Sequence, residues 1–275
     1  MVVGLAVFLL LAVQVGDPPS PAPEPSPHGL LLVGEEAEAF LRSAEVIDRE
    51  DIPVGISKPK KITLTDGSRT LRGIFKTIDE FAMKKELGRR DRPERDFRDS
   101  YKHEIAAYEL DKLLGLGMVP PTVERRIGRD KGSLQLWVEK AMTEFDRQER
   151  ALAPPDLTAW NRQIHNVRLF HQLTYNTDYN NITNLLVDPD FKVYVIDASR
   201  CFRLHHDLRK EEALVRFDRG VMDRLRALTF DQVRERTGRW LSAEQTRALL
   251  ARRDGIVARA DRLIAERGEG AVLLP

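Results

Sequence analysis

Apolar and polar positions alternate in the first half of the chain and recur at helical spacing in the second half. Residues 62–76 alternate on both sides of Asp66-Gly67, a dipeptide typical of tight turns, and therefore predict a β-hairpin. Residues 133–139 alternate as well and predict another strand, whereas residues 157–173 place their apolar side chains on one side of a helix. A strand-rich part followed by a helix-rich part is typical of the α+β class, here with two lobes.

Shorter elements are predicted between these segments. Helices are expected over residues 35–45 and over residues 97–114, the second of which ends at Gly115. A second hairpin joins residues 185–187 to residues 193–196.

Three features are predicted from charge and capping signals. Residues 81–99 carry dense charges of both signs, which predicts a solvated loop. After about Leu208 the chain is predicted to be helical, with Ser242 and Gln245 as a capping box. The charged cluster at residues 252–254 predicts a solvated face of the last long helix.

The first 27 residues differ in composition from the rest. Residues 1–15 are almost entirely apolar, too few for a span of roughly 20 residues but suited to a signal-peptide core. We therefore predict a signal peptide or membrane anchor over residues 1–16, followed by a Pro-rich linker over residues 17–34. This predicts an exported or membrane-tethered protein. The alternatives are a buried strand, or a misassigned start site and a cytoplasmic protein.

Charge and cysteine content exclude two classes of protein. Lys and Arg total 44 against 43 Asp and Glu, so the formal net charge is +1, which argues against a nucleic-acid-binding protein. Cys201 is the single cysteine, so the chain has no intramolecular disulfide framework.

Lys76 and Glu104 are charged at positions where the pattern predicts apolar packing. Lys76 ends a strand and shares its face with Ile74, so its side chain either extends to solvent or points inward at an anion. Glu104 shares a helix face with Tyr101 and Tyr108. A carboxylate there either pairs with a surface cation or fixes a cation that binds phosphate.

Carboxylate and amide oxygens follow in residues 176–188 and at the end of the next strand. Asp178 lies among several Asn residues, and Asp197 ends a hydrophobic strand. Oxygens from two neighbouring segments suit Mg²⁺ that bridges nucleotide phosphates. A second carboxylate nearby can accept the proton of an attacking hydroxyl. The alternative is a turn that favours Asn and Asp for local reasons.

Taken in chain order, these motifs resemble an atypical kinase. The order is Gly-Ile-Phe-Lys76, Glu104 on a helix, Leu-Trp-Val-Glu139, Asn-Thr-Asp178 with Asn184-Leu-Leu-Val, and Val-Ile-Asp197. The sequence is similar, over roughly residues 52–202, to the branch that contains the phosphatidylinositol 3- and 4-kinases, the HipA-type kinases and the secreted Golgi casein kinases. The resemblance implies a bilobal protein-kinase-like fold, with a β-rich N-lobe over residues 35–141 and a helical C-lobe over residues 142–275.

The resemblance implies a nucleotide site between the lobes. Lys76 would contact the α- and β-phosphates and would be held by an ion pair with Glu104. The hinge for adenine would be residues 136–141, including Glu139. The loop at residues 54–58 would cover the nucleotide with donors from Gly55, Ser57 and Lys58.

The resemblance also implies a catalytic aspartate and a metal site. Asp178 would orient or deprotonate the acceptor hydroxyl, and Asn184 and Asp197 would hold Mg²⁺ or Mn²⁺. In protein kinases an Asn follows the catalytic Asp at a fixed offset, which here falls on Thr183. Three alternatives remain: a one-residue bulge makes Asn184 the ligand, Asn181 is the ligand, or the site is degraded.

The predicted function is therefore ATP- and Mg²⁺-dependent transfer of a phosphoryl group to a hydroxyl. The acceptor hydroxyl can belong to a protein, a lipid or a small molecule. The alternatives are a nucleotide-binding pseudokinase that serves as an interaction module, an enzyme that transfers the nucleotidyl part of ATP, and a tethered structural domain.

Overall fold

A computed structural model describes residues 28–52, 59–85 and 94–275. The predicted signal peptide or anchor and most of the predicted linker lie outside the described residues. The same holds for the predicted nucleotide-covering loop with Gly55, Ser57 and Lys58. Within the described ranges, no helix is both long and apolar enough to span a bilayer.

The described residues form helices and strands in the following order. They are α1 (Gly34–Ser43), β1 (Glu45–Asp51), β2 (Lys60–Thr65), β3 (Thr70–Lys76), β4 (Asp79–Lys85), β5 (Glu94–Ser100), α2 (Tyr101–Leu114), β6 (Thr122–Ile127), β7 (Asp130–Leu136), β8 (Met142–Thr143), α3 (Glu144–Glu149), α4 (Leu157–Leu173), β9 (Leu185–Val187), β10 (Val193–Val195), β11 (Phe217–Asp218), α5 (Arg219–Ala227), α6 (Phe230–Thr237), α7 (Ala243–Arg267), α8 (Glu269–Val272) and β12 (Leu273–Leu274). Short 3-10 helices occur at Ile182–Asn184, Ala198–Arg200 and Glu211–Ala213.

The strand-rich part is built on a five-stranded antiparallel sheet with the order β1-β2-β3-β7-β6. The predicted first hairpin is confirmed as β2 and β3. Its turn is fixed by Asp66, whose Oδ1 accepts the backbone N–H groups of Ser68 and Arg69 at 2.9 and 3.0 Å. Ile62 on the inner face of β2 joins a buried cluster with Leu41 of α1.

The helix-rich part begins with a small sheet and the helix α4. Helix α4 spans the predicted residues and is capped by Asp156, which accepts the N–H groups of Thr158 and Ala159 at 2.7 and 3.0 Å. The predicted second hairpin is confirmed as β9 and β10, and β8 is a third strand beside β9. The predicted capping box of Ser242 and Gln245 starts α7.

The described residues of the segment 81–99, which are residues 81–85 and 94–99, do not form the predicted solvated loop. They lie in β4 and β5, which pair antiparallel as a two-stranded sheet. Phe97 is buried beneath the guanidinium groups of Arg200 and Arg203, and Glu94 forms ion pairs with both arginines. The prediction was wrong because the partners of these charges lie about a hundred residues away in the sequence.

Two predicted helix boundaries are also wrong. Helix α2 starts at Tyr101 rather than near residue 97, because Ser100 is its N-cap and accepts the N–H of Lys102. Residues 208–218 are largely irregular, and the C-terminal helices start at Arg219.

The α+β class is confirmed. One buried cluster joins α1 to the five-stranded sheet, and a larger one joins α2 and α4 to the C-terminal helices. The segment before α1 contacts both parts: Gly29 and Glu139 exchange two backbone hydrogen bonds of 2.9 Å, and His28 Nε2 lies 2.8 Å from Asp190 Oδ2, between β9 and β10.

We predict that Gly132→Ala destabilises the protein and displaces Lys76. A Cβ at Gly132 would overlap the backbone oxygen of Lys76, so β3 and β7 would have to separate. Overpacking of this kind costs roughly 1–3 kcal/mol of unfolding free energy, which urea unfolding measures. Gly270→Ala is the matched control, because a Cβ there meets no atom within 4 Å. Equal stability of the two variants would contradict the prediction.

Candidate active site

The side chain of Lys76 lies between two carboxylates. Its Nζ is 2.5 Å from Oε1 of Glu104 and 2.8 Å from Oδ1 of Asp197. Lys76 comes from the end of β3, Glu104 from the first turn of α2, and Asp197 from the residues after β10. The expected contact of Lys76 with Glu104 is present, and Asp197 joins it directly.

Burial and charge determine how this group ionises. Burial lowers the pKa of Lys76, but the two carboxylates raise it by more, so the ammonium stays charged. Burial raises the pKa of Glu104. The Lys76 charge lowers the pKa of Asp197, whose side chain is 40% exposed. When Glu104 and Asp197 are both ionised, their two negative charges exceed the single positive charge of Lys76. The excess negative charge lies on the exposed side of the group, at Asp197.

The backbone around Asp197 is held in an uncommon conformation. Its φ is +58°, in the left-handed region that a residue with a side chain rarely adopts. The next backbone N–H, that of Ala198, donates to Oε2 of Glu104 at 3.0 Å. Oδ1 of Asp197 accepts from Lys76 and from Ser199 Oγ, whereas Oδ2 has no hydrogen bond to a described residue. Oδ1 of Asp197 is therefore held in place by hydrogen bonds, whereas Oδ2 is available to a ligand.

Asp178 lies next to both candidate asparagines. Its Oδ2 accepts from Asn184 Nδ2 at 3.0 Å and from Asn181 Nδ2 at 3.2 Å. The amide oxygen of Asn181 accepts from the N–H and the hydroxyl of Thr183. The amide oxygen of Asn184 has no hydrogen bond within the described part of the chain. A 3-10 turn at Ile182–Asn184 separates the two asparagines.

A backbone hydrogen bond joins the loop that carries Asp178 to the segment that carries Asp197. The N–H of Ile196, next to Asp197, donates to the carbonyl oxygen of Asn184 at 2.9 Å. The sequence-predicted residues Lys76, Glu104, Asp178, Asn184 and Asp197 therefore form one continuous group, although they come from four segments.

Glu139 is not part of this group. Its carboxylate pairs with Arg72 on β3, and its backbone pairs with Gly29. The neighbouring Val138 is buried, and its backbone N–H and C=O have no hydrogen bond within the described residues. In the segment predicted to be the hinge, the groups without a hydrogen bond to a described residue are therefore those of the Val138 backbone, whereas the Glu139 carboxylate is paired.

Sequence reasoning missed Arg252, which was predicted to lie on a solvated face. Arg252 is fully buried, and burial lowers its pKa to about 10. Its Nε donates to the oxygen of Leu173 at 2.8 Å, and its Nη1 donates to the oxygens of Arg203 and His205 at 3.1 and 2.5 Å. These carbonyls flank the Asp178 loop and the segment after Asp197, so Arg252 joins the two. Because charged residues in a helix usually face solvent, no local signal distinguishes it.

Asp99 was also missed. It is buried on β5, and its Oδ1 has no hydrogen-bond partner in the described residues. Strand β5 packs against the 3-10 helix that follows Asp197. A buried carboxylate oxygen without a hydrogen-bond partner is costly, and a cation beside it would offset that cost.

Two buried histidines support the loops. His171 Nδ1 accepts from Asn176 Nδ2 at 3.0 Å, and Asn176 Oδ1 accepts the N–H of Asp178 at 2.8 Å. His103 Nδ1 donates to the oxygen of Ser199 at 2.9 Å. Burial lowers the pKa of each histidine to about 4.

This chain matches known proteins in its fold and not in its sequence. No family model and no curated protein sequence matches this chain. A Fam20 protein of hydra, solved with a sugar, matches with a TM-score of 0.64 and 15% identity over 86% of this chain and 90% of that chain. A Golgi casein kinase matches with a TM-score of 0.61 and 13% identity over 87% and 78%. A Golgi casein kinase with Mn and ADP bound matches with a TM-score of 0.58 and 12% identity over the same shares.

The chain has an atypical kinase-like fold. The resemblance to the atypical kinases and the expected bilobal architecture are thereby confirmed at the level of the fold. In this kinase-like fold, the group around Lys76 connects the strand-rich part, through β3, to the helix-rich part, through Asp197.

We predict that Arg252→Met lowers the unfolding free energy by roughly 1–3 kcal/mol, because buried carbonyl oxygens lose their donor. Urea unfolding measures the change. Arg262→Met on the same helix is the control, since its side chain is 53% exposed and the substitution should cost less than about 0.5 kcal/mol. Equal effects of the two substitutions would show that Arg252 does not have this role.

We also predict that stability falls as the pH is lowered from about 6.5 to about 4. In this window the unfolded chain binds protons at His103 and His171 that the folded chain does not bind. Protonation therefore favours the unfolded state and lowers the free energy of unfolding. Each histidine contributes up to about 3 kcal/mol to this decrease in the free energy of unfolding. Urea unfolding at several pH values should give a shallower dependence for His171→Gln than for the wild type, and parallel curves would refute the assignment.

Proposed function

We propose that the protein is an ATP- and Mg²⁺-dependent phosphotransferase that acts on a hydroxyl acceptor. The observation that carries this proposal is the continuous polar group of Lys76, Glu104, Asp197, Asn184 and Asp178. A fixed cation for phosphate, oxygens for a hard metal ion and a separate carboxylate are the parts that phosphoryl transfer needs.

The metal-binding role fits the oxygens that the chain provides. Asp197 Oδ2 and Asn184 Oδ1 have no hydrogen bond to a described residue, and they belong to segments joined by the bond from Ile196 to Asn184. Carboxylate and amide oxygens suit Mg²⁺ and Mn²⁺. Asn184 is favoured over Asn181, whose amide oxygen already accepts two hydrogen bonds from Thr183. When bound, the metal ion neutralises negative charge on the transferred phosphoryl group.

The other residues take the following roles. Lys76 binds the α- and β-phosphates, and Glu104 keeps its ammonium in place. Asp178 orients the acceptor hydroxyl and accepts its proton, while the amides of Asn181 and Asn184 fix its carboxylate. The backbone of Val138 is available to the adenine edge.

Two similar structures bear on cofactor and acceptor. A Golgi casein kinase has been solved with Mn and ADP, which favours testing Mn²⁺ beside Mg²⁺ here. The hydra Fam20 protein has been solved with a sugar, so sugar hydroxyls join proteins and lipids as acceptors to test. Export or tethering through residues 1–16 stays a prediction.

The first test is the binding of ADP or ATP with Mg²⁺ or Mn²⁺, measured by thermal shift. Ligand at about 100 times its Kd should stabilise the native protein by about 2.7 kcal/mol. Asp197→Asn should remove the metal-dependent part of the shift, and the exposed Asp254→Asn should leave it unchanged. Absence of a shift with either metal would refute the proposal.

The second test is transfer of label from ATP to an acceptor or to the protein itself. Label should transfer from the γ-phosphate, and Asp178→Asn should lower the rate by about 100-fold or more while nucleotide binding persists. Transfer from the α-phosphate would indicate a nucleotidyl transferase. Binding without any transfer, unaffected by Asp178→Asn, would indicate a pseudokinase.

A further inference from the structure

Strand β4 has a free edge. It pairs with β5 on one side, and no other described strand lies on its outer side. Its backbone N–H and C=O groups form no hydrogen bond to a described residue outside that pairing. Phe81 and Met83 of the same strand are 57% and 82% exposed. Free edges that expose apolar side chains are surfaces on which another strand can pair.

The sequence of β4 is complementary to itself in the antiparallel direction. The strand reads Asp-Glu-Phe-Ala-Met-Lys-Lys from Asp79 to Lys85. Antiparallel pairing of two copies about Ala82 places Asp79 opposite Lys85 and Glu80 opposite Lys84. It also places Phe81 opposite Met83. Every charged position therefore meets the opposite charge, and every apolar position meets an apolar one.

We propose that β4 pairs antiparallel with β4 of a second copy of this chain, with the two-fold axis at Ala82. Such an interface is isologous, because the same surface serves both subunits, and it closes at two copies. The pairing joins two two-stranded sheets into one four-stranded sheet and satisfies the free edge of both.

Charge complementarity selects this partner over an unrelated strand. Opposite charges directly across two strands are attractive, and a sulfur beside an aromatic ring is favourable. In the single chain Asp79 pairs with Lys102 and Glu80 with Lys85, but these side chains are 31–43% exposed. Exposed ion pairs contribute little, so they can be exchanged for pairs between copies.

The proposed interface lies beside the candidate active site. Strand β5 carries Glu94, which binds Arg200 and Arg203 just after Asp197, and it leads directly into α2 with Glu104. Pairing at β4 therefore stabilises the hairpin that contacts both segments. The proposal itself does not depend on phosphoryl transfer.

The first experiment exchanges charges between two variants and measures mass by sedimentation. The wild type should dimerise with a Kd between about 1 and 100 µM, as expected for a small interface, and salt should weaken it. Asp79→Lys with Glu80→Lys gives a basic strand, and Lys84→Glu with Lys85→Glu gives an acidic one. Each double variant alone should dimerise at least about tenfold more weakly, whereas their mixture should form a heterodimer.

The second experiment tests the register by disulfide formation. Residues directly opposite in an antiparallel pair have Cα atoms about 4.5–5.5 Å apart, within reach of a disulfide. Ala82→Cys should therefore cross-link with itself, and Phe81→Cys should cross-link with Met83→Cys more than either variant does alone. The native Cys201 is buried and does not compete.

Two results would overturn the proposal. One is a wild type that stays monomeric up to about 100 µM, because even a Kd at the upper limit of the expected range would give a readily detected fraction of dimer at that concentration. The other is a dimer whose affinity neither double variant changes and in which Ala82→Cys does not cross-link, since dimerisation would then use another surface. Melting temperatures of all variants identify any that fail to fold.

Discussion

The ammonium of Lys76 between Glu104 and Asp197 is the interaction on which the arrangement of the candidate site depends. It joins β3, α2 and the segment after β10, which belong to different parts of the fold. Glu104 is almost fully buried, so removing the lysine would leave its carboxylate without a compensating charge. The same contact keeps Asp197 close to the cation that would bind phosphate.

Loops that carry functional groups must be held by the rest of the molecule. Helix α7 does this through Arg252, whose guanidinium binds carbonyl oxygens on both sides of the candidate site. His171 does the same for Asp178, through the side chain of Asn176. These contacts supply hydrogen bonds to buried polar groups that would otherwise be unsatisfied.

The charge-rich hairpin β4–β5 is a two-stranded sheet whose two strands contact different surroundings. Its inner strand is bound to the segment after Asp197 by ion pairs and by the packing of Phe97, whereas its outer strand exposes apolar side chains and a free edge. The two strands thus have different neighbours. The inner strand supports the site, and the outer strand is open to a partner.

Local patterns in the sequence determined the first hairpin, the helix α4, the second hairpin and the capping box of α7, because turn residues, caps and periodicity act over a few neighbours. The order of charged motifs was sufficient to suggest Lys76, Glu104, Asp178, Asn184 and Asp197. Tertiary structure alone decided that Glu139 pairs with Arg72, that Arg252 is buried and that residues 94–99 are a strand rather than a loop. Each of these depends on a partner distant in sequence, and the energy of a charge depends on whether such a partner replaces water.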